Sequence, residues 1–170
     1  AFKGCYSVLY DKKTILGVTL VDDWVISCDN SYSGDLDLTG IRGIADSAFY
    51  DCSGLTSVTI PDSVTSIGED AFYGCSSLSE IVIPDSVTRI GISAFGQCYN
   101  LKSIVLPDSI TEIGEKAFYG CYALENICVS KGKKDYFKGL LPAELHDKIV
   151  ETFGIDTDRI EEATDLVHGI

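Results

Sequence analysis

The chain has 170 residues, 45% of them hydrophobic and 23% charged, and a formal net charge of −13. This composition is that of a folded chain and excludes disorder, while the acidic balance excludes nucleic acid or an anionic membrane as the natural partner, because neutralising phosphate needs clustered Lys and Arg. No apolar run approaches the roughly 20 residues of a spanning helix, so direct membrane insertion is not expected.

In chain order, Ser7–Tyr10 and Thr14–Val18 flank Asp11-Lys12-Lys13 and predict a β-hairpin. Trp24–Cys28 reads as a further strand, and the Gly34-containing stretch from Asp29 to Asp35 as a surface loop. From residue 36 to 130 the sequence repeats itself. Phe49, Phe72, Phe95 and Phe118 lie 23 residues apart, as do Cys52, Cys75, Cys98 and Cys121 and the leucines 55, 78, 101 and 124. Ile44, Ile67, Ile90 and Ile113 form another column, Val58, Ile81, Ile104 and Ile127 a fifth, and Pro61, Pro84 and Pro107 keep the same step. So many columns in one register mean stacked, near-identical units.

Within one unit, the alternation around Ile81 and Ile83 predicts a short strand near residues 80–83. Pro84-Asp85-Ser86 predicts a turn, since Pro pre-sets φ and Asp and Ser bond nearby backbone. Val87 to Ile90 reads as a second extended stretch ended by Gly91, and Ala94-Phe95-x-x-Cys98 as a short helical turn whose Phe plugs the coil. About eight apolar residues per unit close no core alone, so stacking must make each column continuous.

After Ile127 the pattern stops. The basic run Lys131, Lys133, Lys134 leads to Pro142, a residue suited to the first turn of a helix. Leu141, Leu145, Ile149 and Phe153 recur every four residues and predict an amphipathic helix ended by Gly154. Asp156 or Thr157 starts a last expected helix carrying Ile160, Ala163 and Val167. Together, residues 131–170 read as a helical cap on the open end of the array.

The unit at residues 60–81, with its neighbours at 83–104 and 106–127, resembles the BspA-like, or Treponema-type, class of bacterial leucine-rich repeats. It departs from the commoner leucine-rich pattern in placing Ser63, Ser86 and Ser109 where Asn or Cys is usual. Ala1-Phe2-Lys3-Gly4-Cys5 matches the same family step, so the chain is expected to begin inside a repeat; it contains no Met. The fold expected is an α/β repeat: a right-handed leucine-rich-repeat solenoid of 23-residue coils, with short parallel strands and a C-terminal helical cap. Its divisions are degenerate N-terminal repeats with a hairpin at 1–35, four regular repeats at 36–130 and the cap at 131–170.

The resemblance implies a cell-surface or secreted bacterial protein, an adhesin-type module whose macromolecular ligand is a host matrix protein or a glycan, and no catalytic residues or cofactors. The other reading is a structural spacer in a larger surface protein. A monomer is expected. The outward side chains of successive strands form one sheet face, which makes Glu80, Val82, Lys102, Val105 and Glu125 the candidate ligand-binding residues. Trp24 and the tyrosines are a second store of contact surface.

For metals, the seven cysteines contain no C-x-x-C pair and both histidines, His146 and His168, lie outside the array, so a zinc site is not expected. The cysteine column reads instead as buried, reduced thiols packing as small hydrophobes; Cys28 and Cys128 fall off the column. Asp62, Asp85 and Asp108 line up at coil spacing, which admits calcium, although solvated turn residues are the simpler reading. No Ser-His-Asp, Cys-His or phosphate-binding glycine pattern points to catalysis.

Overall fold

The computed structural model describes residues 12–15, as a backbone path, and residues 17–152 with their side chains. The A-F-x-G-C step at residues 1–5, the strand expected at Ser7–Tyr10 and the helix expected from Asp156 or Thr157 lie outside the described residues.

Strands β1 (Lys12–Ile15) and β2 (Val18–Val21) form a hairpin, but not the expected pairing of Ser7–Tyr10 with Thr14–Val18. Gly17, at φ 83°, makes the reversal, a left-handed conformation that glycine adopts without a Cβ clash. Lys12 and Lys13, expected in a turn, instead lie in β1. A second hairpin joins β2 to β3 (Trp24–Cys28) through Asp22 and Asp23, both at positive φ. Two consecutive left-handed residues match the right-handed strand twist, and Asp tolerates that region.

From β3 onward the pairing becomes parallel and the solenoid begins. Strand β4 (Ser33–Asp37) occupies the end of the stretch expected to be loop, and it pairs parallel with β6 (Gly54–Thr59). The two-residue strands β5 (Gly43–Ile44), β7 (Ser66–Ile67), β9 (Arg89–Ile90) and β11 (Glu112–Ile113) extend the sheet β1-β2-β3. In it Ile44 pairs with Ile67, Ile67 with Ile90 and Ile90 with Ile113. The other ladder holds β8 (Glu80–Val82), β10 (Ser103–Val105) and β12 (Asn126–Ser130), with Ile81, Ile104 and Ile127 in register. The chain thus alternates between two ladders, and both point their isoleucines into one continuous core.

The third side of each coil is a string of tight turns. Between the ladders, Val64, Val87 and Ile110 donate backbone N–H bonds to Pro61, Pro84 and Pro107, closing the predicted Pro-Asp-Ser turns. On the far side, Cys98 N–H bonds to Phe95 O at 3.3 Å, an i to i+3 turn that swings the Phe ring inward. The rings of Phe49, Phe72, Phe95 and Phe118 stack at centroid distances of 4.9, 5.3 and 5.7 Å, within 5° of parallel. Gly91 explains how closely the coils nest: a Cβ there would lie 2.6 Å from the Gly68 carbonyl carbon.

The C-terminal segment differs from its reading. Helix α1 (Lys134–Leu140) is short, a 3-10 helix follows at Ala143–Lys148, and the expected helix over Leu141–Phe153 is absent. Its second half is strand β13 (Ile149–Thr152), which pairs parallel with β12, Ile149 facing Ile127. The Leu141/Leu145/Ile149 spacing has a helical period, but Ile149 is β-branched and the preceding coil presents an open strand edge, and the edge wins. Glu151 Oε1 fixes the arrangement by accepting the N–H groups of Gly132 and Lys134, each at 3.0 Å. Phe137, Leu141 and Ile149 are buried, so the described part of the segment joins the core with mixed structure in place of the expected helical cap.

Candidate functional site

The five candidate residues fall in two settings along the β8–β10–β12 ladder: Glu80, Val82 and Val105 share the outward parity of the strands, while Lys102 and Glu125 lie one position off it. Glu80 and Val82 stand on β8 and Val105 on β10, while Lys102 and Glu125 sit just ahead of β10 and β12. Lys102 and Glu125 are exposed, and the backbone beneath them is fixed by Lys102 N–H to Ser79 O and Glu125 N–H to Lys102 O, both 2.8 Å. Val82 and Val105 are in register with Cys128 of β12, and Cys128 with Val150 of β13. Four parallel strands therefore carry an unbroken, half-exposed apolar strip, bordered by the charges of Glu80, Lys102 and Glu125. Cys128, off the column in the sequence, belongs to this strip, where burial raises its thiol pKa. Val150 was not among the candidates, because it was assigned to a helix.

The cysteine column is buried and unbridged, as its spacing implied. It does more than fill space. The thiols of Cys75, Cys98 and Cys121 donate to the carbonyls of Phe49, Phe72 and Phe95 in the preceding coil, at 3.2, 3.1 and 3.0 Å. Cys28 extends this column one place out of phase, its thiol and that of Cys52 both reaching the Asp29 carbonyl. A single extra residue between Cys28 and Cys52 hides the relation from a search at constant period. Burial pushes the Cys75 thiol up to about 12.

The serine that replaces the usual Asn has a parallel duty. Ser86 and Ser109 hydroxyls donate to the Val64 and Val87 carbonyls at 2.6 Å, and Ser63 bonds to the Ile41 carbonyl in the same way. Each ties a coil to its predecessor. The neighbouring Asp62, Asp85 and Asp108 are exposed, and Asp108 pairs with Lys133 at 3.4 Å. Among the described residues no three His, Cys, Asp or Glu side chains converge as a metal site. His146 is half-buried, with Nε2 2.9 Å from the Leu141 carbonyl.

The turn edge carries aromatic surface that the sequence reading only partly located. Tyr50 stacks on Tyr73 at 5.1 Å and Tyr99 on Tyr122 at 5.9 Å, and Tyr119 is 60% exposed. Tyr50, Tyr73 and Tyr119 directly follow core Phe residues in the sequence, and Tyr99 and Tyr122 directly follow members of the Cys column.

Among the described residues no helix is long and apolar enough to cross a membrane. Over residues 39–139 the chain matches the BspA type leucine rich repeat region, in six copies. Among solved structures it is similar to a leucine-rich repeat protein from Bacteroides capillosus ATCC 29799, with 27% identity and a TM-score of 0.61, over 70% of this chain and 98% of that one. It is also similar to a leucine rich cell surface protein from Faecalibacterium prausnitzii A2-165, at 25% identity and a TM-score of 0.60, covering 74% of this chain and 41% of that one. A leucine rich repeat protein of T. pallidum matches at 27% identity and a TM-score of 0.52, over 70% and 68% of the two chains. No curated protein matches. The stacked Phe, Cys, Leu and Ile columns lie inside the matched span, and the chain belongs to the BspA type leucine-rich repeat family.

Proposed function

We propose that the chain is a binding module of a bacterial cell-surface protein, not an enzyme, and that it engages a macromolecule, a host matrix protein or a glycan, through the outer face of β8, β10 and β12. The solenoid that carries this face winds right-handed in 23-residue coils, since crossovers between parallel strands of one sheet take that hand. The observation behind the reading is the apolar strip of Val82, Val105, Cys128 and Val150, with Glu80, Lys102 and Glu125 along its border. An apolar centre with a charged rim is how protein interfaces are built, and a flat four-strand face suits a protein surface better than a small molecule. Family membership and the surface location of the Faecalibacterium relative support the same reading. The acidic chain favours a basic partner and faster association at low salt.

The test replaces Glu80, Val82, Lys102, Val105 and Glu125 together by Ala or reversed charge, confirms folding, and compares capture of matrix proteins and immobilised glycans with the parent. One short module should bind in the micromolar range, raised by multivalent display. The expected result is loss of capture in the variant. Equal capture moves the binding face elsewhere, and no capture by a multivalent parent leaves the spacer reading.

A further inference from the structure

The other ladder carries a feature that the flat face lacks. Gly43, Ser66, Arg89 and Glu112 are the outward positions of β5, β7, β9 and β11, and Trp24 of β3 is paired with Gly43. The indole lies flat on that glycine: a Cβ at Gly43 would sit 2.6 Å from Trp24 Cε3. The next position, Ser66, is small, and Arg89 rises beyond it, held by Glu112 at 3.2 Å. A large ring, a gap and a guanidinium therefore follow one another across the sheet. The result is a groove of about 350 Å³, lined by Trp24, Asp46, Ser66, Glu69 and Arg89 and, without side chains, by Gly68 and Gly91. Glu69 N–H donates to Asp46 Oδ1 at 3.0 Å, which orients one carboxylate at the rim.

We propose that this groove is a saccharide subsite that takes a neutral pyranose unit of an oligosaccharide. The argument is chemical complementarity. A pyranose with equatorial hydroxyls has an apolar face of axial C–H bonds, which packs on an aromatic ring, and an edge of hydroxyls that both donate and accept. Trp24 offers the ring. Asp46 and Glu69 accept from hydroxyls, the Arg89 guanidinium donates to them, and the ligand's edge meets both kinds of partner at once. Volume agrees, since 350 Å³ lies at the small end of ligand pockets. Charge narrows the class. The two carboxylates repel uronates and sialates, and Arg89 in the same groove disfavours a Lys or Arg side chain, which would otherwise be drawn to an acidic rim beside an indole. The glycine column bears on the site only through the fold: a Cβ at Gly68 or Gly91 would meet the backbone of the preceding coil at 2.7 and 2.6 Å, so glycine there lets the coils that line the groove nest closely. This site lies on a different ladder from the proposed ligand-binding face of β8, β10 and β12, and its success or failure is separate from that reading.

Trp24 is the only tryptophan of the chain, so its fluorescence reports on the groove directly. The experiment titrates the intact chain with cellotetraose, maltotetraose and chitotetraose and follows tryptophan emission at low and high salt. Expected are a saturable emission change with at least one sugar, half-saturation in the millimolar range, and insensitivity to salt. Glu69→Ala should weaken binding at least tenfold, and so should Ser66→Tyr, which fills the gap without removing a charge; Glu115→Ala, outside the groove, should leave it unchanged. No emission change with any of the three sugars up to its solubility overturns the proposal. So does a response confined to an oligolysine peptide and abolished by salt, which would make the groove a cation site.

Discussion

Cys75 shows what one position does when it recurs. Its thiol is fully buried, donates to the Phe49 carbonyl, and keeps its proton up to about pH 12, because burial disfavours the thiolate. Unfolded, the same thiol titrates near 9.0. The folded state therefore binds the proton more tightly, and the stabilisation is complete below pH 9 and lost as pH rises towards 12. The slope is about 1.4 kcal/mol per pH unit for one such thiol. We expect denaturant midpoints to fall across that window, and to fall less steeply in Cys75→Ala by about one thiol's share. Parallel slopes in parent and variant would show that Cys75 ionises equally easily in both states. Positive φ at Ser47, Asp70, Ser93 and Lys116 marks another recurring position, one of two per coil (the other is Asp51, Gly74, Gln97 and Gly120) where the chain accepts left-handed backbone beside the Phe. The conformation carries strain for residues other than glycine, and the packed Phe stack holds it in place.

At the scale of elements, the regular coils were readable because each meets the same surroundings. A residue such as Ile104 has an isoleucine on either side in both the sequence column and the ladder, so periodicity and structure report the same fact. Where surroundings change, the signal weakens. Ile149 carries a helical spacing yet completes the ladder as a strand, because the decisive partner, Ile127, is 22 residues away and invisible to local pattern. Cys28 was unplaced because one added residue breaks the period. Trp24 was noticed as a possible contact residue, but its groove depends on Gly43 and Ser66 being small two and four strands of sequence later, a relation only pairing reveals. The C-terminal segment gives the prediction at this scale. Removing residues 131–170 uncovers Ile127 and Leu124, now 0% and 1% exposed, and leaves β12 without its neighbour β13. The truncated chain should self-associate and melt lower, which sedimentation and thermal scans will show. A monomer with unchanged melting would mean that the segment packs on the array without supporting it.

For the molecule as a whole, the consequence of the inter-coil ladders is that length is negotiable. Each regular coil offers its successor equivalent acceptors, a Phe carbonyl for the thiol and a Val or Ile carbonyl for the serine, and receives the same donors. A unit can be lost without leaving its neighbours unmatched. Excising Pro84–Leu106 joins Ile83 to Pro107 and restores Ile-Pro-Asp-Ser at the seam. We expect the shortened chain to fold cooperatively with a lower melting temperature, since stability in such arrays adds up from coils and their interfaces. Circular dichroism and a single sharp transition would establish it, and an excision of 20 residues at the same point should not fold, because every column would miss its partner. For a gene encoding this chain, an in-frame gain or loss of one unit is then a survivable event, whereas a slip of a few codons is ruinous. Recombination between near-identical stretches of DNA supplies changes of the first kind, so the fold offers its lineage a ready means of adjusting how far a surface reaches.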